Sequence, residues 1–234
     1  MNAIATLYVV ATPIGNLEDL SVRAKETLAH VNAILAEDTR EAAKLLGHIG
    51  AQKELVRYDE HTRGAREDAI LQRLKRGESL ALVADRGTPN IADPGGRLVE
   101  RVYRECPGVK VVPIPGPSAM AAALSVCGFP LQQYTGYGFL PLKNGRQTIL
   151  KNMVADERPA VFFESPHRVE KVLQFFVDNC PEREVFVARE LSKTFEHLYR
   201  GKPADALAAL RADAVKGEFT VVLGPGKVNR ATLM

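Results

Sequence analysis

The amino-acid sequence predicts an α/β protein of two α/β domains, the first with a mainly parallel sheet and the second with a mixed sheet. Two observations predict this class. In the first half of the chain, short apolar segments alternate with helical patterns, which is typical of βαβ units. In the second half, strand-like segments follow one another across short loops, which favours antiparallel or mixed pairing. With 234 residues, the chain is long enough for two small domains.

The first sheet is predicted from five apolar segments. Residues 3–12 are β-rich and apolar without alternation, as expected of a strand that is covered on both faces. After a turn, Ser21 is predicted to cap a helix that leads to a second strand at residues 33–36. The same strand-then-helix unit recurs, with further strands predicted within residues 54–62, 79–85 and 109–114.

Alternate prolines mark the predicted domain boundary. Pro113, Pro115 and Pro117 accompany the fifth strand at every second position, a spacing that suits an extended connecting segment better than a central strand. We therefore predict a first domain over residues 1–115, a second over residues 116–224 and a tail over residues 225–234. The second domain is predicted to contain strands within residues 160–165, 184–190, 197–201 and 218–224, and helices within residues 169–180 and 203–215.

The composition is that of a globular protein and restricts the function only weakly. The 31 basic and 28 acidic residues give a net charge of +3, which permits nucleic acid as a partner without requiring it. The three cysteines stand too far apart for a disulfide framework or a metal site, as expected for a reducing cytoplasm. Neither a signal peptide nor a long apolar run is apparent, so we expect a cytoplasmic protein without a membrane span.

Polar residues, glycines and prolines follow each predicted strand of the first domain. In open α/β sheets, ligands bind beyond the carboxyl ends of the strands. A single loop of this kind would be ordinary turn chemistry, but five that converge on one rim favour a ligand cleft. The loops are residues 12–16, 37–40, 58–62, 85–96 and 115–118.

The common catalytic motifs do not occur in the sequence. Neither G-x-G-x-x-G after the first strand nor G-x-x-x-x-G-K-[ST] is present, which disfavours a dinucleotide or nucleoside triphosphate enzyme. H-E-x-x-H and G-x-S-x-G are also absent, which disfavours zinc proteolysis and α/β-hydrolase chemistry. The five histidines show no metal-ligand spacing, so no metal site is predicted.

Seven segments of the chain resemble the ribosomal RNA small subunit methyltransferase I family, a branch of the tetrapyrrole methylase superfamily. They are "LYVVATPIGNLEDLSVRA", "AEDTR", "DRGTPNIADPG", "PIPGPSA", "FFESPHR", "ARELSKTFE" and "GEFTVVL". The resemblance implies two α/β domains with S-adenosylmethionine (SAM) in the cleft between them, and a homodimer. It also implies methylation of the ribose 2′-hydroxyl of a cytidine in the decoding region of 16S rRNA.

The resemblance implies cofactor contacts in both domains. Pro13 matches a proline of the first family motif, and the segment Gly87-Thr88-Pro89 aligns with the Gly-Asp-Pro loop of the superfamily. The other matched positions are Ile91, Ser118, Ala119, Phe163, Glu164 and Gly201. The residue chemistry agrees, because Gly87 lacks a Cβ and lets the backbone approach a ligand closely. Ala92 extends the apolar surface, and Asp85 can pair with the cationic part of SAM.

Methyl transfer to a ribose hydroxyl needs a group that orients the hydroxyl and accepts its proton. The candidates are Glu164, Glu190, Lys193 and His61, and the sequence does not rank them. Four basic residues after strand ends are candidate RNA contacts, with solvated charge or internal ion pairing as the alternative role. They are Arg40, Arg168, Arg189 and Lys193.

Three positions depart from the family pattern, and two other functions stay open. Arg86 stands where a small residue is usual, Asn90 where an apolar residue is usual, and Thr62 where Asn is common. One alternative is a sister methylase that acts on a porphyrinoid or a protein, although "FFESPHR" and "AEDTR" resemble the RNA branch. The other is a module that binds SAM or RNA without catalysis.

Overall fold

The computed structural model describes residues 4–62, 64–213 and 215–226, and it divides the chain into two units between Ser118 and Ala119. The sequence predicts a boundary nearby, after residue 115. Residue 3 of the predicted first strand, residue 214 of the predicted last helix and residues 227–234 of the predicted tail lie outside the described residues. In the part of the chain that is described, no helix is long and apolar enough to cross a bilayer.

The first unit contains a five-stranded parallel sheet, which confirms the prediction for this half of the chain. Its strands are β1 (Thr6–Val10), β2 (Ala33–Ala36), β3 (Glu54–Arg57), β4 (Leu80–Val83) and β5 (Lys110–Ile114). Their spatial order is β3-β2-β4-β1-β5, and every neighbouring pair is parallel. The helices that connect them are α1 (Val22–His30), α2 (Thr39–His48), α3 (Ala65–Lys75) and α4 (Gly96–Glu105).

Helices on both faces of the first sheet explain why its strands are apolar without alternation. In β4, Leu80 and Leu82 belong to a core cluster with residues of α3 and α4. Their neighbours Ala81 and Val83 belong to a second cluster with residues of α1 and α2. Because successive strand residues point to opposite faces of a sheet, a strand covered on both faces must be apolar at every position.

The strand order creates a topological switch point between β1 and β4. These two strands are neighbours at the middle of the sheet. The chain leaves β1 through α1 toward β2 on one side, and it leaves β4 through α4 toward β5 on the other. Loops that leave adjacent strands in opposite directions open a crevice at their carboxyl ends, which is where open α/β sheets bind ligands.

Two local features of the first unit follow from residue chemistry. Ser21 caps α1 as predicted, since its side-chain oxygen accepts a hydrogen bond of 3.1 Å from the Ala24 N–H. Pro113 lies inside β5 and not after it. The sheet tolerates this proline because β5 is an edge strand, where a missing N–H leaves no ladder bond unmade on the open side.

The second unit contains a five-stranded mixed sheet, as the sequence predicts. Its strands are β6 (Thr135–Phe139), β7 (Ala160–Glu164), β8 (Val185–Arg189), β9 (His197–Gly201) and β10 (Phe219–Leu223). The order is β6-β7-β10-β8-β9, in which β6 and β7 are parallel and the other pairs antiparallel. The helices are α5 (Ala119–Val126), α6 (Arg146–Ala155), α7 (Pro166–Asn179) and α8 (Pro203–Ala212).

The two faces of the second sheet are covered unequally. Helices α6, α7 and α8 pack on one face around Phe162 and Phe176. The other face packs on α5 through a smaller cluster that includes Ala123 and Leu124. The sequence does not predict β6 or α6. Strand β6 has the sequence TGYGF, and its two glycines lower the strand propensity of the segment.

Candidate functional site

The loops after β1 and β4 are joined at the switch point of the first sheet. Thr12 and Gly87 form an isolated antiparallel bridge, in which each backbone N–H donates to the carbonyl of the other residue, at 2.9 and 3.0 Å. The Thr12 hydroxyl donates in addition to the Ala84 carbonyl at 3.1 Å. Thr12 is buried, so these bonds form in a protected environment and fix the two loops against each other.

The loop after β5 meets the other two at Gly87. The backbone of Gly87 has φ +80°, a left-handed conformation that glycine adopts readily. A Cβ at this position would lie 3.3 Å from Cγ2 of Ile14 and 3.7 Å from the Pro117 carbonyl oxygen. The neighbouring Thr88 hydroxyl donates to the same carbonyl at 2.9 Å. Residue 87 is therefore a point where three loops of the rim converge, and a Cβ there would press on the Ile14 side chain.

The loop between β4 and α4 folds back on itself at Asn90, one of the positions that depart from the family pattern. Asn90 has φ +71°, a conformation that asparagine tolerates better than most residues. Gly95 has φ +142°, and a Cβ there would lie 2.1 Å from Oδ1 of Asn90 and 2.6 Å from Cδ2 of Leu82. The Asn90 amide thus occupies space that a side chain at position 95 would need. Ile91 and Ala92, the predicted apolar contacts, lie exposed between these two points.

Acidic groups gather along the same rim. An Asp85 carboxylate oxygen accepts a hydrogen bond of 3.0 Å from the Asp38 N–H, which joins the loops after β4 and β2. Burial, and then the charge of Asp85, raise the pKa of Glu37 above its usual range. The same two causes raise the pKa of Asp93. The carboxylate of Asp85 and the nearby acidic side chains of Glu37 and Asp93 form a cluster of negative charge potential, a site that favours a cation.

A buried carboxylate supports the rim from below. The side chain of Glu67, on α3, is fully buried; it accepts hydrogen bonds from the Tyr58 hydroxyl at 3.2 Å and from Arg101 Nη1 at 2.8 Å. Burial, followed by the Glu67 charge, raises the pKa of Tyr58 to about 12. Because Tyr58 directly follows β3 and Arg101 lies on α4, this contact ties together the elements that flank two rim loops. Sequence reasoning did not find Glu67, which lies on a helix and belongs to no motif.

The loop after β3 holds the candidate His61. Its ring is exposed, with Nε2 3.4 Å from a carboxylate oxygen of Glu60. The neighbouring Thr62 is buried, and its hydroxyl both donates to Asp59 Oδ1 at 3.0 Å and accepts from the Asp59 N–H at 2.9 Å. Thr62 therefore closes the turn that presents His61.

In the second unit, Glu164 is enclosed by basic groups. Its side chain is fully buried at the end of β7 and contacts Arg146 Nη2 at 2.7 Å and Arg168 Nε at 2.8 Å. One of its oxygens also accepts a hydrogen bond of 2.8 Å from the Ser165 N–H. The carboxylate that the sequence nominates as a catalytic or cofactor-binding group is thus engaged by three donors of its own unit, and Arg168, a predicted RNA contact, is one of its partners. Arg146 was missed because nothing in the sequence links it to β7.

Glu190 and Lys193 form an ion pair in the turn after β8. Lys193 Nζ lies 2.8 Å from Glu190 Oε1 and 3.0 Å from Glu218 Oε2. The Glu190 backbone has φ +50°, which is unusual for a residue with a side chain. A Cβ on Gly217 would lie 2.4 Å from Glu190 Oε1, so the glycine leaves the space in which the carboxylate lies. The sequence predicts both members of this ion pair as functional residues, but it does not predict Gly217, which leaves room for the Glu190 carboxylate.

The remaining predicted residues differ in exposure. Arg40 is exposed and pairs with Asp38 at 2.6 Å. Arg189 is buried; its Nε donates to the Lys216 carbonyl at 2.9 Å, and its Nη1 contacts Asp213 at 2.5 Å. Its guanidinium is therefore engaged within its own unit and is not available to bind RNA. Among the described residues, no cluster of His, Cys, Asp or Glu has the arrangement of a metal site.

The predicted cofactor contacts occupy loop and strand ends in each unit. Pro13 is buried beside Thr12. Ser118 ends the first unit and Ala119 begins α5 of the second. Phe163 is half-buried on β7, while Gly201 ends β9 with space for a Cβ, whose nearest neighbour would be Asp205 at 3.7 Å. Gly201 is therefore not required by the packing of its own unit.

The sequence of residues 6–207 matches the profile of the family described as Tetrapyrrole (Corrin/Porphyrin) Methylases. The chain belongs to this family. The match covers most of both units and confirms the resemblance found in the sequence motifs.

Within the tetrapyrrole methylases, the chain is similar to proteins named ribosomal RNA small subunit methyltransferase I. The protein of Thermotoga maritima is 43% identical over 217 residues, which cover 93% of this chain and 97% of that protein. The protein of Escherichia coli O157:H7 is 41% identical over 236 residues, which cover 99% of this chain and 82% of that protein. The chain thus belongs to the ribosomal RNA small subunit methyltransferase I branch.

Two solved structures share the fold. Diphthine synthase superposes with a TM-score of 0.71 at 13% identity, covering 94% of this chain and 90% of that one. Cobalt precorrin-4 methyltransferase superposes with a TM-score of 0.65 at 16% identity, covering 94% of both chains. At these identities the likeness establishes the fold and not the substrate.

Proposed function

We propose that the chain transfers a methyl group from SAM to the ribose 2′-hydroxyl of a cytidine in the decoding region of 16S rRNA. The names of its relatives support ribosomal RNA methylation, and an rRNA substrate agrees with the expected cytoplasmic location. The observation that carries the proposal is the junction of Thr12 and Gly87 at the switch point of the first sheet. It lies where an α/β sheet offers a ligand site, in the segments that resemble the cofactor loops of the family.

The residues of the rim fit SAM in shape and in charge. Gly87 allows three loops to converge, which brings several peptide donors and acceptors within reach of one small ligand. Asp85 and the neighbouring groups Glu37 and Asp93 favour a cation, and SAM carries a sulfonium and an ammonium group. When bound, SAM supplies an activated methyl group. The proposed contacts of the first unit are Pro13, Asp85, Gly87, Thr88, Ile91, Ala92 and Ser118, and those of the second are Ala119, Phe163 and Gly201.

The chain's own contribution to the reaction is positioning and removal of one proton. The ribose oxygen forms a bond to the methyl carbon while the carbon–sulfur bond breaks, and the hydroxyl proton passes to a base. Holding the reactants in line can lower the barrier by up to about 7–11 kcal/mol. His61, Glu190 and Lys193 are the proposed groups that orient the hydroxyl or accept its proton. Replacing His61 by Ala and Glu190 by Gln separates them, since loss of a general base lowers kcat about 10²- to 10⁴-fold.

Basic residues supply the proposed contacts to RNA. Arg40 is exposed enough to reach a phosphate, although it must share its guanidinium with Asp38. Phosphate contacts of this kind position a substrate and do not select its sequence. A homodimer, as the family resemblance implies, remains part of the proposal.

The direct experiment is transfer from labelled SAM to 30S subunits, followed by mapping of ribose methylation in 16S rRNA. The proposal predicts label on a 2′-oxygen of a decoding-region cytidine. Label on a base, on another nucleotide or on a porphyrinoid offered in parallel would overturn it. Binding of SAM without transfer to 30S subunits, free 16S rRNA or porphyrinoids would instead identify a module without catalysis.

A further inference from the structure

We propose that the turn after β6 is an RNA-docking surface and that Glu164 is the positioning residue that holds it. The docking turn is defined as residues 139–143, "FLPLK". The inference rests on the proposed function, because it assumes an RNA substrate. It changes the role of Glu164 from a group that reacts or binds SAM to one that acts through two arginines.

The contacts of Glu164 lead directly to the docking turn. Arg146 holds one carboxylate oxygen at 2.7 Å and donates from Nη1 to the Pro141 carbonyl at 3.4 Å. Arg168 holds the other oxygen at 2.8 Å and donates from Nη1 to the Leu140 carbonyl at 3.2 Å. One buried carboxylate therefore orients two guanidinium groups, and each of them fastens a carbonyl of the same turn.

Charge explains why the arrangement depends on Glu164. The side chains of Arg146 and Arg168 are only 13% and 20% exposed, so water screens their mutual repulsion poorly. The carboxylate between them compensates that repulsion. A glutamine amide in its place offers only one acceptor oxygen, and its NH₂ group would face a guanidinium that is itself a donor. At least one of the two arginines would then no longer be held in place to donate to the turn.

The fastened turn exposes apolar and basic side chains side by side. Phe139 is 60% exposed, and the half-buried Phe163 supports its ring at a centroid distance of 5.3 Å. Leu142 is 78% exposed. Lys143 is exposed next to it, and no salt bridge engages its ammonium group within residues 4–62, 64–213 and 215–226. The turn therefore presents an aromatic ring, an aliphatic side chain and a cation within one short segment.

Single-stranded RNA is the partner that this chemistry fits. Unpaired bases stack on exposed aromatic rings, and lysines beside them bind the phosphates. A ring that is already supported on one side loses little conformational freedom when a base covers the other. The loops and unpaired segments of a folded ribosomal RNA offer such bases, whereas a purely apolar protein partner would leave the Lys143 charge without a counterpart.

The test compares surface variants of the docking turn with matched controls elsewhere. The turn variants are Phe139→Ala and Lys143→Ala. Their controls are Tyr103→Ala, which removes an aromatic side chain 68% exposed on α4, and Lys110→Ala, at the amino end of β5. Fluorescence anisotropy with a labelled decoding-region RNA gives the RNA affinity, and calorimetry gives the SAM affinity.

We expect Phe139→Ala to weaken RNA binding about tenfold, as loss of one stacked base does, and Lys143→Ala to leave SAM affinity unchanged. Lys143→Ala should reduce the slope of log affinity against log salt by about 1, because one phosphate contact is lost. Both controls should bind RNA like the unmodified protein. Turn variants that bind and methylate RNA like the controls would overturn the inference, while an unmodified protein that neither binds nor methylates 16S rRNA would overturn the proposed function instead.

Steady-state kinetics on 30S subunits separates positioning from catalysis at Glu164. If Glu164 positions the turn, Glu164→Gln should raise KM for the subunit about tenfold and leave kcat nearly unchanged, by analogy with loss of one stacking contact. If Glu164 is instead the general base, kcat should fall about 10²- to 10⁴-fold at unchanged RNA affinity, which would contradict the inference. Should Glu164→Gln fail to fold, Phe139→Ala and Lys143→Ala still decide whether the turn is an RNA-docking surface.

Discussion

Thr12 and Gly87 exchange backbone hydrogen bonds of 2.9 and 3.0 Å across 75 residues of sequence. The two residues follow neighbouring parallel strands whose chains then leave in opposite directions. The bridge turns two separate loops into one rigid element at the point where a ligand site is expected. The contribution of the Thr12 hydroxyl to stability and the role of Gly87 in ligand binding can be tested separately.

Replacing Thr12 by Val removes the hydroxyl and keeps the shape of the side chain. We expect the free energy of unfolding to fall by about 1–2 kcal/mol, because the buried Ala84 carbonyl loses its donor. SAM affinity should fall with it, since the loop after β4 is released. Urea denaturation and calorimetry measure the two effects. Thr12→Ser, which keeps the hydroxyl, is the control, and equal behaviour of the two variants would show that the hydroxyl does not hold the loops.

Replacing Gly87 by Ala tests the convergence of three loops. The left-handed backbone costs about 1 kcal/mol with any Cβ, so stability alone would not be informative. Gly77→Ala carries the same kind of strain, at φ +94°, but nothing lies within 4 Å of its Cβ. We expect both variants to be destabilised and only Gly87→Ala to lose SAM affinity, by about tenfold or 1.4 kcal/mol. Equal SAM affinities in the two variants would contradict the assignment.

Glu67→Gln tests the buried support below the rim. Its carboxylate is inaccessible to solvent and serves Tyr58 and Arg101, so we expect a loss of about 3 kcal/mol in the free energy of unfolding. The control is Glu100→Gln, whose pair with Arg104 is exposed on both sides and should change stability by less than about 0.5 kcal/mol. Thermal denaturation compares them. Similar melting temperatures for the two variants would show that the buried network is dispensable.

The pH dependence of stability should have opposite signs at Asp93 and Asp156. Burial, and then Asp85, raise the pKa of Asp93, so the folded state binds its proton more tightly and stability falls as the pH rises through that raised value. Asp93→Asn should therefore stabilise the protein at neutral pH, and the gain should vanish below about pH 4. Urea denaturation from about pH 3 to 8 checks this.

Asp156 provides the opposite case. Hydrogen bonds from Arg158 lower the pKa of Asp156 to about 2, so its contribution to stability is present above the unfolded-state value and is lost as the pH falls toward 2. Asp156→Asn should destabilise the protein at neutral pH. Stability changes of the same sign in Asp93→Asn and Asp156→Asn would contradict the electrostatic account of the acidic rim.

The sequence predicts the first unit well because its signals are local. Strand β2 is correct to the residue at Ala33–Ala36, since a short apolar run between turns identifies a strand covered on both faces. Strand β6 was missed because its two glycines remove the apolar pattern that identifies a strand in the sequence. Its pairing with β7 is also irregular, with a register shift beside Phe139. The pairing partner β7, which is distant in sequence, compensates for that weak propensity.

The chemical roles were harder to predict than the elements. A motif such as "FFESPHR" marks Glu164 as a residue of interest, but only the fold brings Arg146 to it from helix α6. The same holds for Arg189, whose charge suggests RNA and whose burial beside Asp213 commits it to the unit itself. Sequence patterns identify residue types at strand ends, whereas long-range packing decides which of their donors and acceptors are engaged.

The central claim is that the loops joined at Gly87 bind the methyl donor. The most direct measurement is a crystal structure of the protein with S-adenosylhomocysteine, the demethylated product of SAM. We predict density for the nucleoside against the backbone of Gly87 and Thr88, with the amino-acid part near Asp85. Density for the ligand at any other surface, with these loops unoccupied, would contradict the claim.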